Sequence, residues 1–351
     1  MVHNNGTGAA RPLSRRFFLT ATGIGALTAG LAACGGTSTS GSSPSSPAPT
    51  SGGGGGFPLT MEGAEGKTVL TARPQRVVTV GFMRDLDEAV SLGVNPVATT
   101  PASNFDSGIP PWVEAKLGGA KIEQLEFEDK LPFEKIVALT PDLILATDSY
   151  TLADDFANLT ALAPTLSYEK DVAEDTWQTR ATRVGKALGK SDEAEKAVKA
   201  VTAKIEEAKT KNQAALAGKT FTFSLLNGEG AIATVILPTD ASAQLLAHLG
   251  LKLSDKVTKL PQAGPAGRAV VATENTDLLD ADIVMFSFRN AEERAKVEGD
   301  RLFQNLPAVK RGAYVALEVE TALSMAFPST LSIPYALDKI VPLLVQAAGK
   351  A

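Results

Sequence analysis

The sequence is short of the residues that do most metal and redox chemistry. Its 351 residues include two histidines and one cysteine. His3 falls in the N-terminal leader, which leaves His248 alone in the rest of the chain. One histidine cannot build a multi-histidine zinc or manganese centre or an HExxH helix, so direct transition-metal capture is not expected. A single cysteine makes no internal disulfide. Positive charge is also scarce: 34 Lys plus Arg stand against 39 Asp plus Glu, a net charge of −5. The basic surface that phosphate neutralisation demands is missing, and nucleic acid is not an expected partner. No serine sits in a GxSxG elbow, and no nucleophile, acid and base constellation stands out, so no catalytic residues are assigned. What is present is a 44% apolar chain, long enough to bury the cores of two lobes.

The longest apolar run, Phe17 to Ala33, is interrupted by Gly23, Gly25 and Gly30. It falls short of the roughly 20 residues of a spanning helix and reads as an export signal behind Arg11, Arg15 and Arg16. Ser14-Arg15-Arg16-Phe17-Phe18-Leu19 resembles a twin-arginine motif, and Leu31-Ala32-Ala33-Cys34 resembles a lipobox. Residues 1–33 are therefore expected to be a signal peptide, with Cys34 a diacylated anchor, since two acyl chains hold stably where one exchanges. Residues 34–56 follow as a flexible linker. Gly35 to Gly56 contain only Gly, Ser, Thr, Pro and Ala. Nothing in that stretch can offset the entropy of ordering, and as a coil it reaches about 25 Å.

The remainder carries an internal repeat. Glu134 to Leu145 and Glu274 to Met285 each place a Glu eight residues before an Asp and a Leu three before it, then run into an apolar strand. Upstream of each lies a helix ending in Leu-Gly (Leu86 to Gly93, Leu245 to Gly250), preceded by a strand at Arg76 to Val80 or, more loosely, at Ala231 to Leu237. Between the halves, Ala194, Val198, Val201, Ile205 and Ala208 are spaced 4, 3, 4, 3, which predicts one long helix with a single buried stripe. The expected fold is α/β: two Rossmann-like lobes, at residues 57–190 and 218–351, joined by a long linking helix at 191–217. Gly185 to Ser191 imitates a phosphate loop, but its glycines are one residue too close. Gly189 reads instead as a helix terminus, with Ser191 or Asp192 capping the next helix. His248 reads as structural, and Asp85, Asp87, Glu88, Asp154 and Asp155 as carboxylates favoured by helix dipoles.

Ligands of open parallel sheets bind at the carboxyl ends of the strands. The loops there offer Phe82, Met83, Arg84, Tyr150, Arg289, Met325 and Phe327, a mix suited to a large, partly apolar ligand bearing oxygen acceptors. Phe82, Arg84, Tyr150, Arg289 and Met325 are the expected ligand-binding residues.

The lipobox, Arg73-Pro74-Gln75-Arg76-Val77-Val78, Glu134 to Leu145, Leu162-Ala163-Pro164-Thr165, the linking helix and Glu274 to Met285 together resemble the substrate-binding lipoproteins of ABC importers for ferric siderophores, haem and cobalamin. The resemblance implies a class III periplasmic-binding-protein fold and a monomer tethered to the membrane through Cys34. It implies a ferric siderophore as cargo, its iron held by the chelator, with no cofactor and no protein metal ligand. Glu134 and Glu274 match the glutamates that dock on the ABC permease, which works with its ATPase. Tyr150 falls where hydroxamate-binding members contact their ligand, whereas Glu126, Phe127 and Glu128 stand where those members carry an arginine. Haem or cobalamin binding on the same fold is the nearest alternative. An exported hydrolase or an adhesin would be an alternative of another class.

Overall fold

A computed structural model describes residues 56–263 and 267–351. The signal peptide, Cys34 and all of the linker but Gly56 lie outside the described residues. No helix among those described is long and apolar enough to cross a membrane.

An antiparallel hairpin, Leu59–Glu62 with Lys67–Leu70, opens the first lobe. Behind it stands a five-stranded sheet in the order Glu123–Gln124, Ala98–Thr99, Val77–Thr79, Leu143–Leu145, Thr165–Leu166. All four pairings are parallel. Counted along the chain this is the order 3-2-1-4-5, the Rossmann arrangement, whose switch point lies between Val77–Thr79 and Leu143–Leu145. Those two strands are fully buried, as strands covered by helices on both faces must be.

The second lobe holds a six-stranded sheet. Thr220–Leu226, Ile283–Phe288 and Tyr314–Glu318 run parallel, while Ile232–Val235 and Arg268–Val271 add an antiparallel edge. Lys252–Leu253 pairs with the start of Thr220–Leu226 on the side where Ile232–Val235 takes its end. The repeat therefore has a different first strand from the one its sequence suggests. Asp142 accepts from the backbone N–H groups of Gln75 and Arg76 at 2.7 and 2.8 Å, tying the second repeat strand to the start of the first. Asp282 does the same to Thr220, at 2.7 Å. Thr220–Leu226 is thus the counterpart of Val77–Thr79, and Ile232–Val235 is an added hairpin strand.

The linking helix runs Ser191–Leu216. At 1.5 Å per residue it is about 39 Å long, enough to reach both cores. Its Ala194 packs into the first lobe, and its Val201, Ile205 and Leu216 pack into the second. Gly189 adopts φ +64° after the preceding helix, but the linking helix starts from Lys190 with no side-chain cap, so neither Ser191 nor Asp192 caps it. Backbone bonds close the preceding helix, Lys190 N–H donating to the Gly185 carbonyl at 2.7 Å and Gly189 N–H to the Lys186 carbonyl at 3.1 Å.

Both lobes meet at the short helix Arg84–Ser91, on which residues 84 to 90 are all buried. Its carboxylates are not the solvated first-turn groups that dipole reasoning suggests. The Asp87 carboxylate accepts from Trp112 Nε1 at 2.9 Å and from Ser329 Oγ at 2.5 Å, and Glu88 accepts from Thr330 Oγ1 at 2.6 Å and its N–H at 3.1 Å. Around them Leu86, Val90, Trp112 and Val113 pack against Leu323, Phe327, Leu331 and Tyr335, which span the helix Val319–Ala326, the start of the helix Ser332–Ala348 and the turn between them.

Burial pushes Asp87 up to about 8 and Glu88 up to about 7, against the pull of the hydroxyl donors. Folded carboxylates then keep protons that unfolded ones release above roughly pH 4. Their contribution to stability is fully present below that pH and is lost as the pH rises through 7 to 8. The calorimetric unfolding midpoint is expected to fall between pH 6 and pH 9. Asp87→Asn should flatten that slope; a slope unchanged in the variant would show that Asp87 does not titrate there.

Candidate functional site

The switch point of the first sheet opens into a cavity of about 600 Å³. Val80, Gly81 and Phe82 enter it from the loop after one central strand, and Asp148, Ser149, Tyr150 and Thr151 from the loop after the other. The two loops are locked together. Asp85 accepts from the Thr147 hydroxyl at 2.5 Å and its N–H at 3.1 Å, and from the Asp148 N–H at 3.2 Å. Asp148 in turn accepts from the N–H groups of Met83 and Arg84 at 2.9 and 2.8 Å. Only glycine fits at position 81, because a Cβ there would stand 2.2 Å from Asp85 Oδ2 and 2.7 Å from Asp148 Cβ.

Arg84 is not among the side chains that line the cavity. It is 6% exposed, its guanidinium paired with Asp148 (Nε to Oδ1, 2.6 Å) and donating to the Val172 carbonyl at 3.3 Å. It also lies over the Phe327 ring at 5.5 Å. Burial works against an ionised Asp148, yet the Arg84 and Arg180 guanidinium groups hold its carboxyl below the usual range. Removing Asp148 would leave Arg84 buried and unpaired, a loss of about 3–5 kcal/mol. Asp148→Ala should show that loss in denaturant unfolding, while a change below about 1 kcal/mol would mean that Arg84 finds water or another acceptor.

The other expected residues divide. Phe82 lines the cavity and packs edge-on against Phe327 with centroids 4.9 Å apart. Tyr150 is 61% exposed and stands in the opening. Met325 is 0% exposed inside the core of the second lobe, on the inward side of the helix Val319–Ala326. It is a packing residue, because helical spacing turns it away from the cleft. Arg289 lines a second cavity of about 400 Å³ at the carboxyl ends of the second sheet, with Asn227, Ser287, Leu323 and, from the first lobe, Asn104. There Arg289 is gripped by Glu293, Nε to Oε1 at 2.6 Å.

Sequence reasoning passed over three contributors. Phe127, 42% exposed, and Phe133 line the first cavity together with Asp129, Lys130, Asp154 and Asp155. An aromatic placed between Glu126 and Glu128, where no core can use it, was the readable signal for Phe127. Arg268 lines the second cavity, 3.5 Å from Asp240 and over the Phe223 ring at 5.8 Å, and its Nη1 has no partner among the described residues. Nothing in its local sequence marks it.

No group of three or more His, Cys, Asp or Glu among the described residues is placed to hold a metal ion. His248 is exposed on the second lobe, its Nδ1 2.7 Å from the Gln244 carbonyl. Glu134 and Glu274 are both exposed, and neither forms an ion pair with a described residue. Tyr150 is more exposed than covered, so truncating it to alanine removes little buried area. That variant should melt within about 1 °C of the parent, whereas Met325→Ala should lose about 2–5 kcal/mol of stability; equal melting of the two would misplace both side chains.

The comparisons agree with this architecture. Over 296 residues the chain is 26% identical to the iron(3+)-hydroxamate-binding protein FhuD of Bacillus subtilis, covering 82% of this chain and 85% of that one. A periplasmic solute binding protein of Mycobacterium smegmatis superposes with a TM-score of 0.72 at 27% identity, covering 83% of this chain and 99% of that chain. PiaA of Streptococcus pneumoniae, solved in complex with ferrichrome, gives 0.69 at 26% identity over 83% and 99%. The fold is that of the class III periplasmic binding proteins. Residues 108–319, more than half of the chain, match the family model described as periplasmic binding protein, and the chain belongs to that family.

Proposed function

We propose that the protein is a membrane-tethered solute-binding lipoprotein that captures a ferric siderophore between its lobes and hands it to an ABC permease and its ATPase. The observation that carries this reading is the cavity at the switch point, open to solvent and lined by Phe82, Phe127, Phe133 and Tyr150. Aromatic area of that kind suits the organic envelope of a chelate, whose iron arrives already coordinated. The named specificities of FhuD and PiaA support the same cargo. Phe82, Phe127, Phe133 and Tyr150 form the first-lobe wall; Arg289, Arg268 and Asn104 border the second-lobe side. The protein works as a monomeric binder, not as an enzyme.

The permease contacts are Glu134 and Glu274. Each lies eight residues before an aspartate that ties one repeat strand to the start of its partner, so the two carboxylates occupy equivalent places on the two lobes. One exposed carboxylate per lobe suits a two-fold symmetric membrane partner. Cys34 carries the lipid and the linker gives the lobes their reach.

Titration with a ferric trihydroxamate, followed by tryptophan emission and calorimetry, is expected to saturate, with a much weaker response to the iron-free chelator. Silence across hydroxamate, catecholate, carboxylate, haem and cobalamin ligands would overturn the reading. Charge reversal of Glu134 and Glu274 together should abolish uptake by cells while leaving affinity in solution unchanged; normal uptake would remove the docking assignment. Cys34→Ser should move the protein from the membrane fraction to the soluble one, and retention in the membrane would exclude lipid anchoring at that residue.

A further inference from the structure

We propose that Arg268 is the specificity-determining donor of the second cavity and that it takes a negatively charged oxygen of the bound ferric chelate. This rests on the ferric-siderophore reading above and adds to it which side chain of the second lobe reads the ligand, and by what chemistry.

Arg268 opens the strand Arg268–Val271, on the antiparallel edge of the second sheet, where it pairs with Val235. Its guanidinium lies over the Phe223 ring at 5.8 Å, and both residues line the cavity of about 400 Å³. The side chain is 14% exposed. A guanidinium presents its N–H donors as a planar fork. Here that fork makes no hydrogen bond to a described residue, and Nη1 is closed to solvent with no partner among them. Buried donors in folded proteins are nearly always paired. An unpaired one on a residue that lines a binding cavity marks the place of an acceptor that the protein does not itself supply.

The charge is matched as poorly as the donors. Asp240 stands 3.5 Å from Arg268 Nη2, but it does not line the cavity. Its other oxygen caps the helix Ala241–His248, accepting from the N–H groups of Ser242 and Ala243 at 2.9 and 3.2 Å. Burial lowers the pKa of Arg268, and Asp240 restores only part of the loss. The charged residues on the cavity wall are Arg268, Arg289 and Glu293. Arg289 takes both oxygens of Glu293, through its Nε at 2.6 Å and its backbone N–H at 2.9 Å. One cation on the wall is therefore left over, and it is Arg268.

An anionic oxygen meets both needs, because it accepts hydrogen bonds and brings the missing charge. Arg84 and Arg289 would each have to part from a bonded carboxylate to reach such a group. Arg268 breaks no hydrogen bond in turning its fork toward one. Leu225, Ala322 and Leu323 on the same wall lower the local dielectric, which strengthens the pairing. A ferric siderophore offers this chemistry from two sources: a hydroxamate oxygen on the iron, or a free carboxylate on the periphery of the chelate.

Two ferric complexes with the same iron core separate these sources. Ferrioxamine B acetylated on its terminal amine has no carboxylate, and the N-succinyl derivative has one. Each is titrated into the parent protein and into Arg268→Met, which keeps an unbranched stem and removes the donors. The variant is expected to bind at least one of them about tenfold to hundredfold more weakly. Loss with both complexes assigns the hydroxamate oxygen; loss with the succinylated complex alone assigns the carboxylate. Without ligand the variant should melt within about 2 °C of the parent, because its arginine had no hydrogen bond to lose. Arg268→Gln gives the same reading should the methionine variant fail to fold. Unchanged affinity for both complexes, or affinity lost only in step with melting temperature, would overturn the role of Arg268 and leave siderophore capture intact. Failure of the parent protein to bind these or any other ferric siderophore would instead overturn the functional reading on which it rests.

Discussion

The helix Arg84–Ser91 has no solvent-facing charge, and much of the structure follows from that constraint. Arg84, Asp85, Asp87 and Glu88 are at most 6% exposed. Charged groups persist under such burial only where other elements bring partners to them. Arg84 and Asp85 take theirs from the Thr147-Asp148 turn, at the switch point of the first sheet. Asp87 and Glu88 take theirs from Ser329 and Thr330, 242 residues away in sequence. One end of an eight-residue helix thus fixes the floor of the cavity, and the other fixes the contact between the lobes. Arg180, fully buried beside this cluster and bonded to the carbonyls of Thr147 and Val172, supplies positive charge to three of the carboxylates.

The same arrangement limits how the lobes can move. The linking helix enters both cores, and the face formed by Leu323, Phe327, Leu331 and Tyr335 returns from the second lobe to pack on the first. Neither crossing is a flexible hinge strand. Bending the linking helix would break its backbone hydrogen bonds, and sliding the returning segment would expose the Asp87 and Glu88 contacts. The lobes are therefore positioned by packing. Trp112 belongs to this joint through its bond to Asp87, and partly buried Trp177 packs on the core of the second lobe. Their fluorescence accordingly reports on the framework around the cleft.

The sequence made the lobes, the long helix and the strand-end loops legible because each leaves a periodic trace. The stripe Ala194, Val201, Ile205 survives in the structure, and so do the apolar strands after Asp142 and Asp282. Partnership left no such trace. Arg84 and Arg289 look alike as loop arginines, yet one is buried on Asp148 and the other is gripped on the surface by Glu293. Met325 and Tyr150 look equally apt to touch a ligand, but helical phase buries the first and a turn after a strand exposes the second. The strand expected at Ala231 to Leu237 is present as Ile232–Val235, but its place in the repeat is not legible for a related reason. An inserted antiparallel strand has the same apolar texture as the parallel one beside it, and the direction of pairing and the Asp282 bond to Thr220 tell them apart.

Recognition of a chelated metal sets a different problem from metal binding. The protein gains nothing by offering ligands to an ion whose coordination sphere is already full, so its discrimination has to act on the outer surface of the complex. Shape and apolar area supply affinity there, and aromatic side chains supply both at small entropic cost. Charge is the remaining variable: Arg84 and Arg289 are paired with Asp148 and Glu293, whereas Arg268 at the second cavity keeps a buried Nη1 without a partner among the described residues. In this protein the electrostatics of the framework and of the cleft are therefore not independent: Asp148, which holds Arg84, lines the first cavity, and the Arg289–Glu293 pair lines the second.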